Sequence, residues 1–500
     1  MEITPRVLEN VTESLAYFRP ELYIIGASVA ILLLGLLLKG ENKVYLPIVA
    51  TLLLLPIAYE TFAQLYLKAI VQRTDHTQHG IFYMLRIDYH IIFAKIMFLL
   101  ATFITLQFST FFHEKRSMKE THGGEYFALI FSLQLGANLL VASSHWIAFY
   151  LSIELLSISS YVLVFWGETE KAREAALKYI IYGSVASAVL LFGVSFMYIT
   201  KGTLTIVGAS QIDTIVNFPY LYYTAILLIL GGVFFKVGIV PFHFWVADVY
   251  EGSSTPITAL FAFLPKVAGL FSLFTLVRFV TADEFINLFV IIASCTIGVG
   301  TVLAIWQTNI KRLLAYSSVA HAGYLLIGVI IYMTNFDTTA TNSGFFYYVF
   351  VYLFMNFAAF VLADILIKQT GSEDIRDYKG IASKTPFVSV LMTFVMLALT
   401  GLPPTAGFTA KFFILQQLAE GELSAYTFSL IAVAVIATVI SLYFYLKVPY
   451  YMYFKRAEQK EIVQPISSSY KWFIFLICLP ILAFFIGLQW VLNFLGLFIN

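Results

Sequence analysis

The chain has 500 residues, 60% of them hydrophobic and 12% charged, with a mean hydropathy of +0.86 and a net charge of +1. Soluble domains carry about 25% charged residues, so this is a polytopic membrane protein, and its balanced charge gives no hint of nucleic acid or of a strongly charged partner. Cys295 and Cys478 lie in apolar runs, too few and too far apart to suggest an iron–sulfur cluster, and no Gly-rich nucleotide fingerprint follows a strand pattern, so neither ATP nor NADH is expected to bind. Energy must therefore come from an ion gradient or a partner subunit.

A transmembrane helix needs about 20 apolar residues. Fourteen spans are predicted on that basis: 22–39, 44–67, 90–112, 125–143, 145–166, 173–200, 221–247, 255–280, 284–305, 311–332, 343–368, 384–420, 423–452 and 470–498. The first apolar run begins after a polar, partly acidic stretch, which does not resemble a cleaved signal peptide. The longest polar pieces are 68–89, 201–220, 369–383 and 455–469. The class is all-α integral membrane.

Loop charge sets orientation. Segments after odd-numbered spans carry Lys39, Lys43, Lys115, Arg116, Lys119, Lys171, Arg173, Lys311, Arg312, Arg376, Lys379, Lys384, Lys455, Arg456 and Lys460. The other side has Arg6, Arg19, Arg73, Arg86, Lys201 and Arg278, fifteen against six. The positive-inside rule then makes the odd loops cytoplasmic and puts both termini outside.

Proline places two breaks. Pro241 cannot donate to the carbonyl of Val237, and Pro403 and Pro404 free those of Leu399 and Thr400. Backbone freed at membrane depth survives only where protein or water satisfies it, and broken helices of this kind hold ions in transporters. The breaks fall in the seventh and twelfth spans, the fourth helix of each of two sets of five. The organisation predicted is a three-helix segment (1–124), a first repeat (125–280, spans four to eight), a second, inverted repeat (281–454, spans nine to thirteen) and a final helix (455–500).

Five ionisable residues interrupt otherwise apolar spans: Glu154, Lys178, Lys236, Lys266 and Lys411. Each costs roughly 2.5–3.5 kcal/mol at mid-membrane on insertion scales, and such residues usually mark an ion or proton path. Other readings stand beside this one. Glu154 with Lys236 would also serve as a static helix lock. Lys178, near the cytoplasmic end, would snorkel. His243 and Asp248 would satisfy freed backbone, and His321 would bond two helices. Glu60, Lys95 and Asp364 are read as interface or assembly residues, Lys311 and Arg312 as topology determinants. The 31 tyrosines and 48 phenylalanines are read as packing and lipid-facing surface.

The stretches KVGIVPFHFWVADVYEGSSTPITALFAFLPKVAGL (236–270), QTNIKRLLAYSSVAHAGYLLIG (307–328) and LTGLPPTAGFTAKF (399–412) closely resemble the subunit N family of bacterial NADH–quinone oxidoreductase. KRLLAYSS is shared with sister subunits and multi-subunit cation/proton antiporters, whereas PFHFWVADVYEG is more specific. The resemblance covers the whole chain. It implies an antiporter-like, proton-pumping subunit of the complex I membrane arm in the bacterial inner membrane, beside sister subunits. It also implies a proton relay in which Glu154 pairs with Lys236, Lys178 stands next to that pair, Lys266 is the central lysine, Lys411 is terminal and His321 lies between the last two, with His243 secondary. NADH, FMN, iron–sulfur clusters and quinone are then expected on partner subunits and no cofactor or metal in this chain. A cation/proton antiporter subunit and a purely structural scaffold are the alternatives.

Overall fold

In a bilayer every backbone amide must find its partner inside the chain, and helix is the cheapest way to do so. The protein, in the form of a computed structural model, is described at residues 15, 18–38, 40–71, 79–80, 84–113, 123–167, 169–206, 219–277, 283–334, 343–421, 424–456 and 466–499. Arg6, Lys39, Arg73, Lys115, Arg116, Lys119, Arg278 and Lys460, with parts of the polar pieces 68–89, 201–220 and 455–469, lie outside the described residues.

The helices are α1 (Arg19–Leu37), α2 (Leu46–Val71), α3 (Tyr89–His113), α4 (Gly124–Ala142), α5 (Trp146–Phe165), α6 (Glu170–Lys201), α7 (Pro219–Val237), α8 (Trp245–Gly252) and α9 (Thr255–Leu276), then α10 (Asp283–Ile305), α11 (Ile310–Thr334), α12 (Ser343–Thr370), α13 (Pro386–Thr400), α14 (Ala406–Glu420), α15 (Ala425–Phe454), α16 (Ser468–Ile486) and α17 (Leu488–Ile499). Among the described residues 13 are long and apolar enough to cross a membrane. The remaining predicted span, 384–420, is α13 with α14, 15 residues each. One prediction is corrected: the last span, 470–498, is two helices parted at Gly487.

Both proline breaks are real. Helix α7 stops at Val237 and α13 at Thr400, each followed by a glycine in the left-handed region, Gly238 (φ 76) and Gly401 (φ 87). Only glycine adopts that conformation without a Cβ clash. Three other helices start on hydroxyl caps: Thr169, Ser424 and Ser467 accept from the amides of Ala172, Thr427 and Tyr470.

The chain divides into two compact units, Met1–Val237 with Leu264–Val280, and Gly238–Phe263 with Thr281–Asn500. In the first, backbone bonds stitch three loops at one face: Ser144 N donates to Met84 O (2.8 Å), Ile206 N to Ser144 O (2.7 Å) and Trp146 N to Leu204 O (2.8 Å). These loops follow the second, fourth and sixth spans, as alternating topology requires. In the second unit the loops after the ninth and eleventh spans meet through Ile310 N to Glu373 O (2.9 Å) and Ile375 N to Thr308 O (2.8 Å), and Lys447 on α15 reaches Gln307 O (2.8 Å). Helix α9 is buried throughout, whereas α6 and α15 expose apolar rows such as Leu177, Ile181 and Val185 on α6.

Two residues read as interface groups are internal. Lys95 is 2.8 Å from Glu21, both side chains are 2% exposed, and Lys95 also donates to Gln64 (3.3 Å), so the charge ties α1, α2 and α3 together. Asp364 pairs with Lys368 (2.9 Å) and accepts from Tyr470 (3.3 Å), holding α16 on α12. Sequence depth alone misplaced both, because their partners lie on other helices or one turn away. Removing one partner of a buried pair leaves an uncompensated charge, at about 3–5 kcal/mol. Lys95→Met is therefore expected to lower the thermal midpoint of the purified protein clearly, and Glu21→Leu added to it to recover most of the loss.

Candidate functional site

Lys236 ends α7 with its side chain 2% exposed. Its ammonium donates to Ser157 Oγ on α5 (3.1 Å) and to Tyr179 Oη on α6 (3.3 Å), and lies 5.7 and 5.4 Å from the ring centroids of Tyr161 and Tyr179. The two rings pack edge to face at 4.7 Å, closing a small aromatic box around the charge. Glu154, Ser157 and Tyr161 stand at i, i+3 and i+7 on α5, one face of that helix. Among the described residues no ion pair joins Glu154 to Lys236, and the buried Glu154 Oε1 accepts no hydrogen bond. The contacts of the Lys236 ammonium are thus hydroxyls and ring faces.

Lys178 stands apart from this cluster. Its side chain is 39% exposed and paired with Glu174 one turn back (2.8 Å). Neighbouring residues on a helix do not face the same way, so α6 gives Tyr179, not Lys178, to Lys236.

Lys266 is buried (1% exposed) in the middle of α9, directly after Pro265. Upstream of it, α12 serves the α9 backbone: Asn356 Nδ2 donates to Ala259 O (2.8 Å) and Tyr352 Oη to Ala262 O (3.3 Å). These two bonds fasten α12 to the backbone of α9 one to two turns before Lys266.

Lys411 shows what the second break is for. From α14 its ammonium reaches back to the end of α13 and donates to Thr400 O (2.8 Å) and Leu399 O (3.1 Å), the two carbonyls expected to be free. It also lies 4.7 Å from the ring centroid of Tyr324. A cation at a helix C-terminus meets both the unsatisfied carbonyls and the negative end of the dipole. His321 is buried on α11, its Nδ1 2.8 Å from Tyr348 Oη and its Nε2 3.4 Å from Tyr445 Oη, and Tyr445 is in turn hydrogen-bonded to Ser317. Tyr324 stacks on Tyr348 at 6.3 Å, and donates to Ala434 O (2.6 Å). A band of tyrosines thus links His321 to Lys411. Composition assigns tyrosine to packing and lipid; instead Tyr161 and Tyr179 surround Lys236 in the first unit, and Tyr324, Tyr348, Tyr352 and Tyr445 surround His321 in the second.

His243 is buried in the turn after the first break, stacked on Phe244 (4.7 Å). Asp248 turns elsewhere: with Glu251 it clasps Arg312, both contacts at 2.9 Å. Lys311 pairs with Glu373 (2.8 Å) and donates to Ser253 O (3.2 Å), while Asn309 Oδ1 accepts from the first amides of α11. Lys311 and Arg312, read as topology determinants, therefore also fasten the short helix α8 to α11. In the adjoining loop the Arg376 guanidinium grips Asp374 (2.6 Å) and holds its carboxyl below the usual range. Among the described residues no group of three His, Cys, Asp or Glu side chains is placed to hold a metal ion.

Residues 143–441 match the family described as NADH:quinone oxidoreductase/Mrp antiporter, TM. NADH-quinone oxidoreductase subunit N 1 of Thermodesulfovibrio yellowstonii is 36% identical over 467 residues, 92% of this chain and 94% of its own. Subunit N of Chlorobium chlorochromatii is 34% identical, with 91% and 88% covered. This chain belongs to the NADH–quinone oxidoreductase subunit N family. A chain of respiratory complex I from Thermus thermophilus superposes with a TM-score of 0.76 at 25% identity, covering 95% of this chain and 98% of that one. A chain of the Mrp complex from Dietzia sp. shares the fold (TM-score 0.78, 19% identity, covering 98% and 97%). The subunit N family member described here is a multi-pass protein of the bacterial inner membrane.

A Cβ at Gly401 would meet Lys411 Cδ at 2.8 Å, whereas one at Gly202, also left-handed (φ 67), meets nothing within 4 Å. The left-handed conformation alone costs an L-residue about 1–2 kcal/mol. Gly401→Ala is expected to destabilise the purified protein measurably more than Gly202→Ala in thermal unfolding, the excess reporting displacement of the Lys411 ammonium from its carbonyls.

Proposed function

We propose that this chain, a membrane-arm, antiporter-like subunit of NADH–quinone oxidoreductase, carries one proton channel gated by Glu154 and Lys236. The observation that supports it best is the open pair: Lys236 is buried, held by Ser157 and Tyr179, with the Glu154 carboxylate nearby on the same face of α5 as Ser157. Burial disfavours a lysine's charged form and an adjacent carboxylate favours it. At 4 Å and an effective dielectric of 20 the attraction is about 4 kcal/mol. Moving one charge against the membrane potential takes about 2.3 kcal/mol per 100 mV, so closing and opening this pair is a large enough switch. Redox chemistry in partner subunits drives it, with Lys266, His321 and Lys411 as later carriers, His243 secondary, and Lys178 near the entry side.

The same reading assigns two inverted five-helix repeats (125–280 and 281–454), a three-helix segment before them and a final helix after them. It places both termini on the periplasmic side, because the loops after odd spans carry fifteen of the twenty-one lysines and arginines weighed. NADH, FMN, the iron–sulfur clusters and quinone belong to partner subunits, and the sister antiporter-like subunits are neighbours in the membrane arm.

Proton pumping by the assembled complex in proteoliposomes tests this. Lys236→Ala is expected to abolish pumping together with quinone reduction at matched complex content. Tyr179→Phe, which removes one acceptor of the ammonium, is expected to shift the pair toward closure and slow both about tenfold, the effect of roughly 1.4 kcal/mol. Intact pumping and turnover in Lys236→Ala would reduce the buried charges to structural pairs.

A further inference from the structure

The outer faces of α1 and α2 enclose an open groove of about 480 Å³. Two of its lining residues are charged, Arg19 and Glu60, and among the described residues neither has an ion-pair partner. The two helices run antiparallel through the short Gly40–Tyr45 turn, so the start of α1 and the later part of α2 lie at the same end. Gly26 lies seven residues, about 10 Å, further along α1 than Arg19. Pro56 lies about 6 Å before Glu60 on the same rise per residue, and Leu53 lies deeper still. The groove therefore has a polar head carrying one cation and one anion, and an apolar floor running toward mid-membrane. Gly26 keeps that floor open, since a Cβ there would meet nothing within 4 Å.

We infer that this groove is a binding site for a zwitterionic aminophospholipid, of the phosphatidylethanolamine class. The phosphate sits on Arg19, the ammonium on Glu60, and one acyl chain lies along Gly26, Pro56 and Leu53. Charge complementarity selects this occupant. An anionic phospholipid would leave Glu60 facing a second negative charge, whereas an apolar partner helix would bury both charges unpaired, which is costly. The site is independent of the proton-channel reading.

The test uses the whole complex, purified and reconstituted in vesicles of phosphatidylethanolamine containing a trace of photoactivatable phosphatidylethanolamine, its reactive group on the acyl chain. After irradiation the label is mapped by peptide mass spectrometry. Label is expected to concentrate in the peptides holding residues 19–27 and 53–60. Unlabelled phosphatidylethanolamine should displace it about tenfold better than phosphatidylglycerol, the worth of one charge-assisted contact. Gly26→Trp, which fills the floor, should abolish the label, while Glu60→Gln, which keeps the shape, should erase the preference between the two lipids. The inference is overturned by label no denser here than on the exposed face of α6, by equal competition from phosphatidylglycerol, by label that survives Gly26→Trp, or by crosslinks showing a partner subunit seated over these residues. The competition needs no variant, so it decides the matter even where Gly26→Trp fails to assemble.

Discussion

A buried lysine amine must find its polar partners inside the protein, and the way this chain supplies them organises its interior. Lys236 is held by a serine hydroxyl, a phenol and two ring faces. Lys411 is held by two backbone carbonyls and one ring face. These ligands are neutral, and that is the important property. A carboxylate at contact distance would stabilise the charge by several kcal/mol and fix the proton in place, whereas hydroxyls, carbonyls and rings solvate an ammonium without binding it irreversibly. Glu154 lies one turn from the serine ligand of the first lysine, on the same face of α5.

The broken helices follow from the same demand. An intact helix has no carbonyl to spare, because each is used four residues on. Ending α13 at Thr400 exposes two, and the chain supplies the cation that meets them from the helix just after the break. Discontinuity and buried charge are thus two halves of one device: each would be destabilising alone, and together each offsets the other's desolvation. The glycines at φ 76 and φ 87 are what allow the chain to turn at those depths.

Much of this was legible in the sequence because the bilayer leaves few choices. Apolar length gave the spans, proline gave both breaks, and even the carbonyls of Leu399 and Thr400 could be named in advance. What could not be read was pairing across helices. Nothing in the order of residues shows that Lys95 meets Glu21, that Asp364 meets Tyr470, or that Arg312 bridges Asp248 and Glu251. The tyrosines were missed for another reason: in so aromatic a chain, composition hides the few whose hydroxyls matter. For Tyr161 a signal did exist, since Glu154, Ser157 and Tyr161 repeat at helical spacing. The split at Gly487 was missed because apolar content runs through it without change.

The backbone stitching at the rim of the first unit sets the depth of Glu154. Trp146 is tied to Leu204, and Ser144 to Met84 and Ile206, through main-chain atoms alone, so the start of α5 is fixed whatever side chains those loops carry. Glu154 then lies nine residues below His145, about 13 Å at the helical rise. Its position is a matter of counting along a rod with a pinned end, not of local packing. Side chains at the rim are free to drift over evolutionary time without moving the carboxylate. A single residue inserted between Trp146 and Glu154 would sink it by about 1.5 Å and swing it about 100° around the helix, away from Lys236, with every contact at the rim still intact.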